Sequence, residues 1–179
     1  DKITAYSILG GIPYYLQTFD DKLSIKENIS KNIFDDACLL REEPLFLLKQ
    51  EFREPTIYNS IIEAVATGAS RFTEISGKIN EETSKCASYM KNLQEIRVIN
   101  KQIPYGENAN SKKSIYSLSD PFFRFWYKYV FSNTSTLSVL GAKDYTDKII
   151  NDIPSVLGSA FEEICTQYLT MMARKKKQI

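Results

Sequence analysis

The sequence contains no histidine. That removes the side chain whose ordinary pKa lies nearest neutrality, and with it imidazole acid–base catalysis and most zinc chemistry. Cysteine is sparse: Cys38, Cys86 and Cys165 are odd in number and far apart. Each falls in a helical-looking stretch, so buried free thiols in a reducing compartment are expected, not a disulfide or metal cluster. There is also no run of ~20 apolar residues able to span a bilayer, and no signal peptide is visible. The expectation is a cytoplasmic protein with no membrane partner. Net charge is nearly absent: Lys plus Arg number 23 against 22 Asp plus Glu, leaving +1. The whole chain is therefore no electrostatic attractor of nucleic acid, and a DNA-binding surface must be local. Finally, no G-x-x-x-x-G-K-[ST] segment occurs, so the loop that cradles phosphates in nucleotide hydrolases is missing.

What is present reads as globular and mainly α-helical. The 179 residues are 43% apolar and 25% charged, enough for one good core or two to three small modules. Ile3, Tyr6, Ile8 and Leu9 suit one face of a short helix stopped by Gly10 and Gly11. Pro13 opens the next helix, and Ser24 with Glu27 makes a capping box for another. Glu42-Glu43-Pro44 starts PLFLLKQEF, with acids at the positive helix end. Arg53-Glu54-Pro55 marks a first boundary.

From Thr56 the pattern changes. Ile57, Ile61, Ile62 and Val65 line one face of a helix ending at Gly68. Ser70 is expected to cap a second helix with Phe72, Ile75 and Ile79 inward. A third, from Glu82 or Thr83 to Ile96, carries Cys86, Ala87, Met90, Leu93 and Ile96 as its stripe. Two β-prone strings, Val98–Ile103 and Lys113–Leu118, flank a Gly/Asn/Ser-rich loop and predict a hairpin. Three helices followed by a hairpin form the winged helix-turn-helix plan. Asp120-Pro121 marks a second boundary. The helix after it should bury Phe122, Phe125, Trp126, Tyr129 and Val130 in one stripe, leaving Tyr127 and Lys128 at the surface. DYTDKIINDI and LGSAFEEICTQYLTMMA read as further helices, broken by Pro154 and Gly158. The last has Phe161, Ile164, Cys165, Tyr168 and Leu169 as its stripe, with Glu162 and Glu163 off it. RKKKQI reads as a generic basic end.

The collinear series LGGIPYYLQTFD, ENISKNIF, LLREEPLFLLKQEFREPTIYNSIIEAVATGASRFTEIS, YMKNLQEIRVINKQIP, YSLSDPFFRFWYKYV and LGSAFEEICTQYL resembles the C-terminal portion of archaeal-type P-loop ATPases. These are AAA-related, STAND-like proteins. The resemblance implies a helical lid remnant over residues 1–52, a winged helix over 56–119, and the opening helices of a truncated restriction-endonuclease-like domain over 120–179. It further implies that the chain is the back part of a larger protein, with ATP and magnesium (Mg) bound by a missing N-terminal ATPase core. Gly10, Gly11 and Pro13 resemble the lid element that packs against the nucleotide, although a plain helix–helix connection has the same composition. Glu162 resembles the metal-binding acid that such nucleases take from their first core helix. One carboxylate cannot hold a divalent ion, so no catalytic site is expected in this segment.

The third helix of the winged module is the candidate DNA reader. Its outward residues should be Ser84, Lys85, Ser88, Lys91 and Asn92, with Lys112 and Lys113 on the wing. Lysines and serines would grip phosphates of double-stranded DNA, and Asn92 could reach a base edge. Against this, the stretch from Thr56 to Asp120 holds eight basic and seven acidic residues, and Glu81 and Glu82 sit where phosphate would approach. A winged helix used only for protein or interdomain contact, including homo-oligomer contact, is the alternative reading. A nuclease role belongs only to the full-length protein.

Overall fold

A computed structural model describes residues 2–79, 81–108 and 111–176. Among them the fold is mainly α-helical with one small antiparallel ribbon. Helix α1 (Lys2–Leu9) buries Ile8 and Leu9 and ends where Gly10 takes φ +68°, a left-handed conformation that costs glycine nothing sterically. Pro13 occupies the first turn of α2 (Pro13–Leu16). The capping box at Ser24 is present: Glu27 N–H donates to Ser24 Oγ at 3.2 Å, and Ser24 N–H donates to Glu27 Oε2 at 2.8 Å. It opens α3 (Ile25–Ile29), which widens into a π-helical turn over Ser30–Phe34 and buries Ile29, Ile33 and Phe34. Cys38 lies in the turn after it and not in a helix. Of the three thiols only Cys86 is fully buried; Cys38 and Cys165 are half-buried. Glu43 and Pro44 then begin α4 (Glu43–Glu51).

Next come α5 (Pro55–Ala66), α6 (Phe72–Lys78), α7 (Thr83–Glu95), β1 (Ile99–Gln102) and β2 (Ile115–Leu118), in the winged-helix order. Ile99 pairs with Leu118 and Gln102 with Ile115. Tyr116 N–H donates to the Ser70 carbonyl at 2.7 Å, so β2 is tied on its far side to the loop before α6. Ser70 is not the cap of α6. Arg71 holds that position, and Glu74 reaches back to accept from the N–H groups of Ser70 at 2.8 Å and Arg71 at 3.1 Å. One carboxylate thus satisfies the N–H groups of both Ser70 and Arg71. On α7 Cys86, Met90 and Leu93 are buried, whereas Ala87 and Ile96 are exposed.

Asp120 caps α8 (Pro121–Tyr129), accepting through Oδ1 from Phe122 N–H at 2.7 Å and Phe123 N–H at 3.3 Å. Periodicity alone predicts a single buried stripe on this helix. Instead Phe122, Phe123, Phe125, Trp126, Tyr127 and Tyr129 are all buried, because α1, α5 and β2 pack around the helix. Tyr127 is fully enclosed and donates to Asn59 Oδ1 at 2.5 Å; burial pushes its phenol pKa up. Arg124 and Lys128, four residues apart, form its polar edge and are half-buried.

Lys128 sits at the rim, its Nζ 3.0 Å from Asp152 Oδ2. Tyr129 Oη donates to the same oxygen at 2.5 Å. The Tyr129 bond first, and then Lys128, hold the Asp152 carboxyl below the usual carboxylate range. A depressed folded pKa adds stability that is complete above the unfolded value, about 3.9, and is lost as pH falls through the folded value. Tyr129→Phe is therefore expected to raise the Asp152 pKa and flatten the acid limb of stability below about pH 4. A carboxyl-carbon NMR titration with parallel acid denaturation reads both effects.

Of the predicted helix DYTDKIINDI only DYTDKI is helical as expected, as the far end of a longer helix, α9 (Thr134–Ile149), which kinks where Gly141 takes φ +75°; Ile150–Asp152 form a 3-10 turn, and Ile153 opens the last helix. Pro154 and Gly158 do not break the last helix: α10 (Ile153–Lys176) runs through both. Pro154 stands in its first turn, where the missing N–H costs little. Residues 177–179 of the basic end lie outside the described residues. A single hydrophobic cluster joins the three expected segments, from Ile8 and Leu48 through Ile61 and Met90 to Trp126 and Tyr145.

Candidate nucleic-acid interface

Because α7 buries Cys86, Met90 and Leu93 against α5, its opposite face is left to solvent. Ser84, Lys85, Ser88 and Lys91 are on that face, the lysine side chains 61% and 77% exposed. Asn92 is turned the other way: its Nδ2 donates to Tyr58 Oη at 2.7 Å, which ties α7 to α5. Lys112 and Lys113 are exposed beyond the ribbon.

The cationic groups have acidic neighbours. Lys85 lies 3.7 Å from Glu81, Lys91 3.7 Å from Glu95, and Lys113 2.6 Å from Glu107. Surface pairs of this kind contribute about 0–1 kcal/mol each. Glu107 also accepts from Ser111 Oγ at 3.1 Å, which organises the described part of the wing loop.

Between α7 and the ribbon runs a cleft of about 490 Å³. Lys91 and Gln94 line one wall, Lys101 and Tyr116 the other, and Ser111 and Lys112 the mouth. No carboxylate lines it among the described residues. Lys101 extends over the Tyr116 ring, its Nζ 5.8 Å from the centroid. Sequence reading misses Lys101, Gln94 and Tyr116. The first and last share a face because strand alternation puts Lys101 on the side of Ile99, and the register sets it opposite Tyr116.

The remaining candidate residues lie elsewhere. Gly10 is buried against the start of α8, while Gly11 and Pro13 are exposed. Ile12, Tyr14 and Leu16 beside them are 38%, 48% and 39% exposed, so the α1–α2 joint presents an apolar knuckle. Glu162 is exposed on α10 and faces the outer side of the ribbon, not the lysine cleft. The described residues hold no cluster of three or more Cys, Asp or Glu side chains arranged for a metal ion. Among the described residues no helix is long and apolar enough to cross a membrane.

Residues 126–179 match the family described as "Archaea bacterial proteins of unknown function" (DUF234). Over 175 residues the chain is 35% identical to the uncharacterized protein MJECL04 of Methanocaldococcus jannaschii, an alignment covering 98% of this chain and 39% of that protein. The chain thus spans well under half the length of that relative. No solved structure matches it significantly.

Proposed function

We propose that this chain is the DNA-associated regulatory part of a longer AAA-related, STAND-like ATPase, and that its winged helix grips duplex DNA through the cleft between α7 and the ribbon. The observation that carries this reading is the convergence of Lys91, Lys101 and Lys112 on a groove with no carboxylate in its lining. Phosphates drawn by those lysines would set the register of α7, leaving Ser84 and Ser88 near the groove floor. On this reading Lys85 and Lys113 add phosphate contacts at the flanks.

The exposed knuckle Ile12–Leu16 supports a lid that meets a separate nucleotide-binding core, which would supply ATP and magnesium. The outer half of α10 supports the view that 120–179 opens a larger unit: Phe161, Tyr168 and Leu169 are 55%, 55% and 66% exposed. A nuclease step would need groups beyond Glu162 and is proposed only for the longer protein.

The three cleft lysines, on three phosphates, contribute about −2.7 to the slope of log binding constant against log salt, from about −0.9 per neutralised phosphate. Lys91→Glu/Lys112→Glu is expected to weaken duplex binding at least tenfold in low salt and to reduce that slope by about two. Fluorescence anisotropy with a 20-mer duplex over a salt series measures both. Equal, negligible binding by both proteins would favour the second reading, a winged helix devoted to protein contact. The inward turn of Asn92 and the acidic partners of Lys85, Lys91 and Lys113 are the observations on its side.

A further inference from the structure

The wing loop between β1 and β2 is braced from within. Glu107 N–H donates to the Pro104 carbonyl at 3.1 Å, and Gly106 takes φ +83°, so Pro104–Glu107 form a tight turn of the kind that needs glycine at its third position. The Glu107 carboxylate accepts from Lys113 Nζ at 2.6 Å and from Ser111 Oγ at 3.1 Å. Behind them Ser114 is buried, its hydroxyl donating to the Ser111 carbonyl at 2.7 Å. The second residue of this turn is Tyr105. Its relative exposure is 107%, the highest of the large apolar and aromatic side chains among the described residues. Within them its hydroxyl has no hydrogen-bond partner and its ring no aromatic neighbour.

Isolated exposed side chains are common, and two features set this one apart. It stands at the apex of a braced turn, so little freedom is left to lose when it is covered. It also shares its loop with Lys113 and with Lys112, at the mouth of the lysine cleft. A cationic groove that ends in a free aromatic ring suits unpaired nucleic acid: lysines follow the backbone, and a base stacks on the ring. Paired bases inside a duplex are already stacked on both faces and offer only their edges. Forcing the ring between them would also bury its hydroxyl without a partner. Where a duplex opens, one base face is free and the hydroxyl stays in water.

We propose that Tyr105 stacks on the exposed base where a duplex opens into single strands, so that the winged helix prefers a fork to continuous duplex. The preference rests on the reading of the lysine cleft as a duplex grip: the lysines hold the backbone, and the ring selects the opening.

The test compares two DNAs by fluorescence anisotropy. One is a 20-mer duplex closed at both ends by non-nucleotide linkers; the other is the same duplex opened at one end into short single-stranded arms. Wild type is expected to bind the fork about tenfold tighter, and Tyr105→Phe to keep that preference. Tyr105→Ala should lose about tenfold on the fork, with its affinity for closed duplex and its salt slope unchanged. Both changes are at the surface, away from the core. A fluorescent base analogue at the fork should be quenched by wild type and not by Tyr105→Ala. Equal affinity of wild type and Tyr105→Ala for the fork, or an equal loss on both DNAs, would overturn the proposal and leave the lysine cleft standing. Binding of neither DNA by wild type would overturn both.

Discussion

Trp126→Ala is expected to lower the unfolding free energy by about 4 kcal/mol, in the middle of the range for a buried aromatic truncated to a methyl group. The ring is 2% exposed and contacts Tyr127 and Phe131 at centroid distances of 5.0 and 5.8 Å. Its Nε1 donates to the Arg41 carbonyl at 2.9 Å, joining α8 to the turn before α4. Truncation removes that packing and leaves a buried carbonyl unsatisfied. Domains of this size are stable by about 5–15 kcal/mol, so such a loss leaves little margin. Trp126→Phe separates the two effects: the volume is largely kept, the donor is lost, and the cost should fall to about 1–2 kcal/mol. Urea denaturation followed by circular dichroism measures both. Equal stabilities for wild type and Trp126→Ala would show that α8 is not the centre of the core.

Gly10→Ala should cost about 2–3 kcal/mol, whereas Gly11→Ala should stay within about 0.5 kcal/mol. The two glycines are neighbours in sequence and unlike in structure. Gly10 has φ +68°, and a Cβ there would stand 3.2 Å from Pro121 Cδ and 3.9 Å from Asp120 Oδ1. A non-glycine residue pays about 1–2 kcal/mol for the left-handed conformation alone. The proline ring opposite is locked at the start of α8 and gives way poorly. At Gly11 a Cβ would meet only the Tyr6 ring, at 3.6 Å, an ordinary contact. Thermal unfolding of the two variants side by side makes the comparison. A destabilisation shared equally would mean that the close approach to Pro121 does not govern this joint. The Gly-Gly pair that ends the first helix is therefore a joint onto α8 in its first member and a solvent-facing turn in its second.

The parts of the fold that are legible in the sequence are those written in local chemistry. Ser24 with Glu27, Pro13, and Asp120 with Pro121 each announce a helix start within four residues, and each start is where it should be. The hairpin is legible from its loop composition. What local chemistry does not hold is the identity of the neighbour. Tyr127 reads as a surface residue because its partner, Asn59, is 68 positions away. The stripe of α10 is correctly traced along the helix, yet periodicity names a face and not what covers it. Phe161 and Leu169 are exposed, and among the described residues of the helix the buried ones, Ile153, Val156 and Ala160, lie at its root. The lysine cleft is half legible. Lys91 and Lys112 can be assigned from helix phase and wing position, whereas the place of Lys101 depends on a strand register that one sequence does not reveal.

The enclosure of α8 has a mechanical consequence. Trp126 holds it to residue 41, Tyr127 to residue 59, and the Tyr15 ring lies 4.7 Å from that of Phe122. These three clamps join the knuckle at Ile12–Leu16, through α8, to α5, on which α7 packs. A push delivered at one end of the described chain would swing the other as a stiff lever, so that a small rotation at the root becomes a larger sweep at the groove.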